Sequence, residues 1–194
     1  MSAAYEQLAK ISSGFGNERS AALDNWAGSP YEWLLTIPSR AKGAYGEKFV
    51  SELFRVNDFG VLKPLSGTDH DRVIQGHRIE IKLSTLWSKA PVYKFQQIRD
   101  QDYDYVLCLG ISPDSANCWV IPKAEMNVDK EGVSHQHGGA RGVDTMWLSF
   151  EASSPPAWMN KYGGDLDAAI EMMRSLGTGV HSGKKISKSE MILG

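Results

Sequence analysis

The sequence predicts an α/β fold, a mixed sheet flanked by helices, laid down in the order helix, three strands, helix, strand, strand. Three observations predict it. Tyr45, Phe49, Val50, Leu53 and Phe54 fall on one side of a helix running from about 40 to 56. The run Arg78-Ile79-Glu80-Ile81-Lys82-Leu83-Ser84 alternates strictly, with Ile79, Ile81 and Leu83 on one face and Glu80 and Lys82 on the other. Two further apolar runs, Tyr103 to Ile111 and Asn117 to Ile121, read as buried strands joined by a turn at Ser112-Pro113-Asp114.

The remaining elements follow in order. Residues 2–36 read as irregular helix, with weak apolar stripes at Tyr5, Leu8, Ile11 and at Ala22, Leu23, Trp26. Ser29-Pro30-Tyr31-Glu32 resembles an N-cap with proline at the first helical position, after which Trp33, Leu34 and Leu35 are expected to bury. Gly46 interrupts the apolar side of the 40–56 helix, which suggests close backbone packing there. Short strands are expected at 61–65 and 70–75, with Gln75-Gly76-His77 turning into the strand at 78–84. A helix is expected around 93–101 through Phe95, Gln96, Gln97 and Ile98. Residues 127–142 hold four glycines and no apolar pattern, so they read as a long loop. Thr145 to Leu148 should be a strand and 165–176 a short amphipathic helix. The last 14 residues, with Lys184, Lys185 and Lys188, read as a disordered basic tail.

The bulk numbers exclude several classes. The chain has 194 residues, 42% hydrophobic and 23% charged, as in an ordinary globular protein with one good-sized core. It holds no run of 18 apolar residues, so no membrane span is expected. The N-terminus lacks the pattern of a secretion signal, and the two cysteines, Cys108 and Cys118, make no disulfide framework. Cytoplasmic localisation is therefore expected. A net charge of −2 argues against a non-specific nucleic-acid coater, but not against a selective DNA enzyme.

The chemistry concentrates around the 78–84 strand. An acid two residues before a base projects both from one face of a rigid element. Asp71, nine residues before Glu80, can join them from the neighbouring strand of a hairpin. Two carboxylates and an ammonium gathered at a sheet edge can hold a divalent metal and orient a water, the parts that magnesium-dependent phosphodiester hydrolysis needs. A Glu-x-Lys pair is also what the solvent face of a half-buried strand looks like. Asp69 competes with Asp71, which is preferred because the strand begins there.

These segments, in this order, resemble the PD-(D/E)XK nuclease superfamily and its restriction-endonuclease-like αβββαβ fold. The residues that carry the resemblance are Gly43-Ala44-Tyr45-Gly46-Glu47, Ser66-Gly67-Thr68-Asp69-His70-Asp71, Ile79-Glu80-Ile81-Lys82-Leu83-Ser84 and Tyr93-Lys94-Phe95-Gln96-Gln97, within residues 40–122. His70 stands where the superfamily's motif has proline. The resemblance implies that Asp71 and Glu80 are metal ligands, completed by the Ile81 carbonyl. It implies that Lys82 orients the attacking water and offsets transition-state charge, and that Glu47 is an outer or second-metal acid. Gln97, with Gln96 as rival, is then the polar residue near the site. The implied cofactor is Mg2+, with Mn2+ able to substitute, and the implied substrate is double-stranded DNA.

On this reading residues 1–180 form a single nuclease domain: a helical extension (1–38), a catalytic core (39–122) and a loop with C-terminal extension (123–180), followed by the tail at 181–194. The function expected is a metal-dependent DNA endonuclease, most like a type II restriction endonuclease or its small catalytic subunit. Cutting both strands needs two active sites, so a homodimer or a partner subunit is expected. The alternatives are a Holliday-junction-resolvase-like nuclease, a non-catalytic DNA-binding module that kept the fold, or a nuclease acting on RNA. His135 and His137 lie two apart, but the further ligands of a zinc site are not evident. The loop bearing His135, Gln136 and Arg141 is instead expected to face DNA, since Arg pairs with guanine and Gln with adenine. Lys42, Lys63, Lys89, Lys94 and Arg99 are candidate phosphate contacts.

Overall fold

The structure, a computed structural model, describes residues 3–86, 90–136, 145–179 and 191–192. Lys89, Arg141, His137 and most of the expected tail lie outside these residues. Helix α1 spans Ala3–Asp24 and α2 spans Ser39–Arg55. Strands β1 (Val61–Pro64), β2 (Arg72–Ile74) and β3 (His77–Thr85) follow, then β4 (Val92–Arg99), β5 (Tyr105–Ile111) and β6 (Ala116–Pro122). Strands β7 (Val133–His135), β8 (Thr145–Glu151) and β9 (Gly163–Asp165), helix α3 (Leu166–Ser175) and β10 (Met191–Ile192) complete the chain. The class expected from the sequence, a mixed central sheet with helices and an N-terminal helical extension, is the class found.

The central sheet has the order β10-β1-β2-β3-β5-β6-β9. Only β3 and β5 run parallel among its described strands; their register places Glu80 beside Val106 and Lys82 beside Cys108. The β2–β3 hairpin turns through Gln75 and Gly76, both at positive φ (51° and 84°), the backbone of a two-residue hairpin turn. Met191–Ile192, from the segment expected as disordered tail, pair antiparallel with β1.

One expected element is replaced. Residues 93–101 do not form a helix. β4 leaves the central sheet and pairs with β8, which pairs with β7, giving a second, three-stranded antiparallel sheet. The physical reason lies in a bulge. Tyr93 and Phe95 bury at the strand period of two, but the register slips between Phe95 and Ile98 so that Ile98 also buries. The spacing Phe95 to Ile98 mimics a helical i,i+3 pair. Likewise β7 lies inside the expected long loop, because Val133 buries against Leu148 in the pairing with β8. Trp33 stays at the surface, edge-on to Tyr45 at 4.7 Å, while Leu34 alone of its trio is fully buried.

Two hydrophobic clusters clamp the central sheet. Val50 and Phe54 of α2 and Ile170 and Met173 of α3 pack with Ile79, Ile81, Leu107 and Leu109 on one face. On the other face Tyr93, Phe95, Leu148 and Phe150 of the second sheet pack with Val106, Cys108, Trp119 and Ile121. Both cysteines are buried free thiols. Gly46 sits where α2 presses on β3: a Cβ there would stand 2.8 Å from Leu83 Cβ. Three residues earlier, a Cβ on Gly43 would meet nothing within 4 Å. Gly46→Ala should therefore destabilise the fold by about 1–3 kcal/mol, whereas Gly43→Ala should stabilise it by about 0.5–1 kcal/mol. Urea unfolding of the two variants checks the opposite signs.

Candidate active site

The site arises from unequal strand lengths. β2 has three residues and β3 has nine. Pairing ends at Arg72 opposite Ile79, after which the Asp71 N–H still donates to the Ile79 carbonyl at 3.0 Å. From Glu80 onward β3 keeps its parallel neighbour β5 on one side and has lost β2 on the other. The expected sheet edge is therefore a notch in the middle of a seven-stranded sheet, and β3 is a central strand.

Asp71 fills the first open position of that notch. Its Oδ2 accepts the Ile81 N–H at 2.8 Å, replacing the missing β2 carbonyl. Because the Asp71 N–H bonds to the Ile79 carbonyl, which Arg72 already faces, the regular register ends at Arg72, and from there the Asp71 charge acts on both Glu80 and Glu47. Along a strand the N–H and C=O of one residue point to the same side, so the Ile81 carbonyl also faces the notch beyond the last β2 rung. Glu80 is buried at 7% exposure, and its Oε1 meets Lys82 Nζ at 2.6 Å. Burial pushes the Glu80 carboxyl above the ordinary carboxylate range; the Lys82 ammonium opposes this, while Asp71 and Glu47 add to it.

Glu47 arrives from α2. Burial and the Asp71 charge raise its carboxyl, against the pull of Arg72 and Lys63. Its partner is a residue that sequence reasoning missed. Arg72 is buried and reaches toward α2. Its Nη1 donates to Glu47 Oε2 at 3.0 Å and to the Asp71 carbonyl at 2.5 Å, and its Nε donates to Ser51 Oγ at 2.8 Å. This guanidinium ties the helix acid to the backbone of the strand acid. The only sequence signal was a cation beside Asp71 at an inward-facing strand position, which the burial pattern alone could have exposed.

Glu47, Asp71, Glu80, Ile81 and Lys82 line one cleft of about 580 Å³. Lys42, Lys94, Gln96 and Gln97 line it too, so the structure gathers these sequence-chosen residues at one place. Gln97 comes from the β4 bulge, where its φ is +58°, rather than from a helix. Burial lowers the Lys42 ammonium below its usual range. Asp69 is exposed and lies within 3.4 Å of Gln101 Nε2, away from the cleft lining. His135 and Gln136 are on or next to β7, outside the cleft lining.

Among the described residues, no three His, Cys, Asp or Glu side chains form a group that could hold a metal ion by themselves. The donor set in the cleft is the Asp71 and Glu80 carboxylates with the Ile81 carbonyl, all hard oxygens. That fits magnesium, which keeps several waters and takes one or two carboxylates, and does not fit a zinc cage.

No family model matches the chain, and no curated protein matches it. Among solved structures, a bacterial homing endonuclease aligns with a TM-score of 0.45 and 15% identity, covering 72% of this chain and 94% of that one. No described helix is long and apolar enough to cross a membrane.

Two outcomes are expected. Arg72→Met strands a part-buried Glu47 carboxylate and should cost about 2 kcal/mol, with most of that loss removed when Glu47→Gln is combined with it in a urea double-mutant cycle. The second concerns pH. Glu47 and Glu80 have folded pKa values above their unfolded ones, so their protonated forms favour the native state and that contribution is lost as pH rises through the raised values. Magnesium needs the ionised forms. It should raise the melting temperature by about 3–8 °C at pH 8 and by much less at pH 5, and Asp71→Ala should remove the pH 8 shift.

Proposed function

We propose that this chain is a metal-dependent DNA endonuclease, most like a sequence-selective type II restriction endonuclease or its small catalytic subunit. The observation that carries the reading is the convergence of Asp71, Glu80 and Lys82 on the notch beside β3, with Lys82 Nζ 2.6 Å from Glu80 Oε1. Structural Glu-Lys pairs on a solvent face need no third acid and no cleft beside them, whereas Asp71 lines the same cleft as Glu80 and Lys82.

Asp71 and Glu80 would hold Mg2+, with the Ile81 carbonyl on the same side; the ion, when bound, supplies Lewis-acid stabilisation and a lowered water pKa. The chain's own residues do the rest. Asp71, fixed by the Ile81 N–H, presents its remaining oxygen to the notch. Glu80 holds the Lys82 ammonium over the cleft, where it can orient a water and offset charge developing on the phosphate oxygens. Arg72 keeps Glu47 directed toward the same space. Lys42 and Lys94 on the cleft wall suit phosphates flanking the scissile one.

Lys82→Ala should lower plasmid cleavage in magnesium by about 10²–10³-fold, and Asp71→Ala and Glu80→Ala should abolish it. DNA binding and folding should survive in all three. Cleavage by all three at the parent's rate would defeat the proposal. Run alongside linear duplex, a four-way junction and an RNA duplex, the same assay separates the restriction-like reading from a junction-resolving or RNA-cutting enzyme.

A further inference from the structure

Outside the cleft, one surface is built of hydrogen-bonding side chains, cations and an aromatic ring. It is the outer face of the β4–β8–β7 sheet. The inner set is apolar: Tyr93, Phe95 and Ile98 on β4, Leu148 and Phe150 on β8, and Val133 on β7, all buried. The strand period sends the other set outward. Lys94 pairs with Ser149, Arg99 with Thr145 and Ser134 with Trp147. Gln136 extends this set, its N–H donating to the Thr145 carbonyl at 2.8 Å.

The chemistry of this face differs from an ordinary solvated sheet. Trp147 belongs to neither hydrophobic cluster, and Lys94 Nζ lies 3.9 Å from its ring centroid. The Trp147 indole N–H and Gln136 Oε1 are buried without a hydrogen-bond partner among the described residues, so the polar groups presented outward are those of the exposed Gln96, Gln97, Arg99 and Ser134. Among the described residues, the face carries no acid between Lys94 and Arg99; Glu151 lies past it, at the end of β8 paired with Val92. The face also adjoins the cleft, because Lys94 belongs to both and the bulge residues Gln96 and Gln97 beside it line the cleft. The strands β4, β8 and β7 present one continuous face, and β-sheet readers of DNA lay strands in a groove. Glutamine and hydroxyl side chains supply the donors and acceptors that distinguish base edges there, and Lys94 and Arg99 supply charge for the flanking phosphates.

We propose that the outer face of this sheet reads the major groove of duplex DNA and sets where the cleft acts. The inference rests on the nuclease reading of the cleft, and its test separates the two. The binding probe is a duplex of a few hundred base pairs, with guanine N7 protection from dimethyl sulfate as the major-groove readout. The parent protein should protect specific N7 atoms. Ser134→Glu combined with Ser149→Glu should weaken duplex binding at least about tenfold and erase the protections, since two phosphate-repelling charges then sit on the face. The exposed Arg99→Ala, which leaves the core untouched, should lower affinity severalfold and reduce the salt slope by about one. If the parent cuts DNA while the variants bind and cut at the same places with the same affinity, the sheet is not the reader and the cleft reading stands. If the parent protects guanine N7 through this face but does not cut in magnesium, the nuclease reading fails and the sheet stands. A parent that neither binds nor cuts duplex, its sheet serving a protein partner instead, overturns both.

Discussion

A buried carboxylate on a central strand is the constraint around which this molecule is arranged. Glu80 sits among the inner strands, where an isolated carboxylate would cost several kcal/mol, roughly the scale of the desolvation penalty for one ion. The Lys82 ammonium 2.6 Å away offsets part of that cost, and the charge of a second acid, Asp71, works against it. A fold selected only for stability has no reason to place two acids there. The divalent cation proposed for this site would relieve the repulsion between the acids.

The rest of the architecture serves to hold that strand still while leaving one side of it open. β5 pairs with β3 along Ile79 to Thr85, and the two hydrophobic clusters grip the sheet from either face. α2 approaches so closely at Gly46 that a side chain there would meet Leu83. The same helix carries Ser51 and Glu47, which Arg72 ties to the hairpin. The short β2 leaves the notch, and β4, departing to a second sheet, brings Gln96 and Gln97 to its rim. Rigidity and access thus come from the same mismatch in strand length.

Much of this was legible in the sequence because it depends on local period. The alternation around Glu80 fixed which side chains share a face, and the apolar side of α2 fixed its packing and the closeness at Gly46. Asp71 could be preferred over Asp69 because the strand begins beside it. What failed to show depended on long-range pairing. The bulge at Gln96 and Gln97 gives Phe95 and Ile98 a helical spacing, so β4 was expected as a helix, and only its pairing with β8 reveals a strand. β7 is three residues long and carries too little pattern to stand out from its glycine-rich surroundings. Arg72 had no motif; its role exists only once α2 lies against the hairpin.

The most direct measurement is a crystal structure of the protein soaked in manganese, with the ion located by its anomalous scattering. A single strong peak is expected in the notch beside β3, within coordination distance of both the Asp71 and Glu80 carboxylates and on the side of the Ile81 carbonyl. Lys82 should be close by without ligating. An empty notch at millimolar manganese, with Glu80 and Lys82 still paired and Asp71 still bonded to the Ile81 N–H, would contradict it.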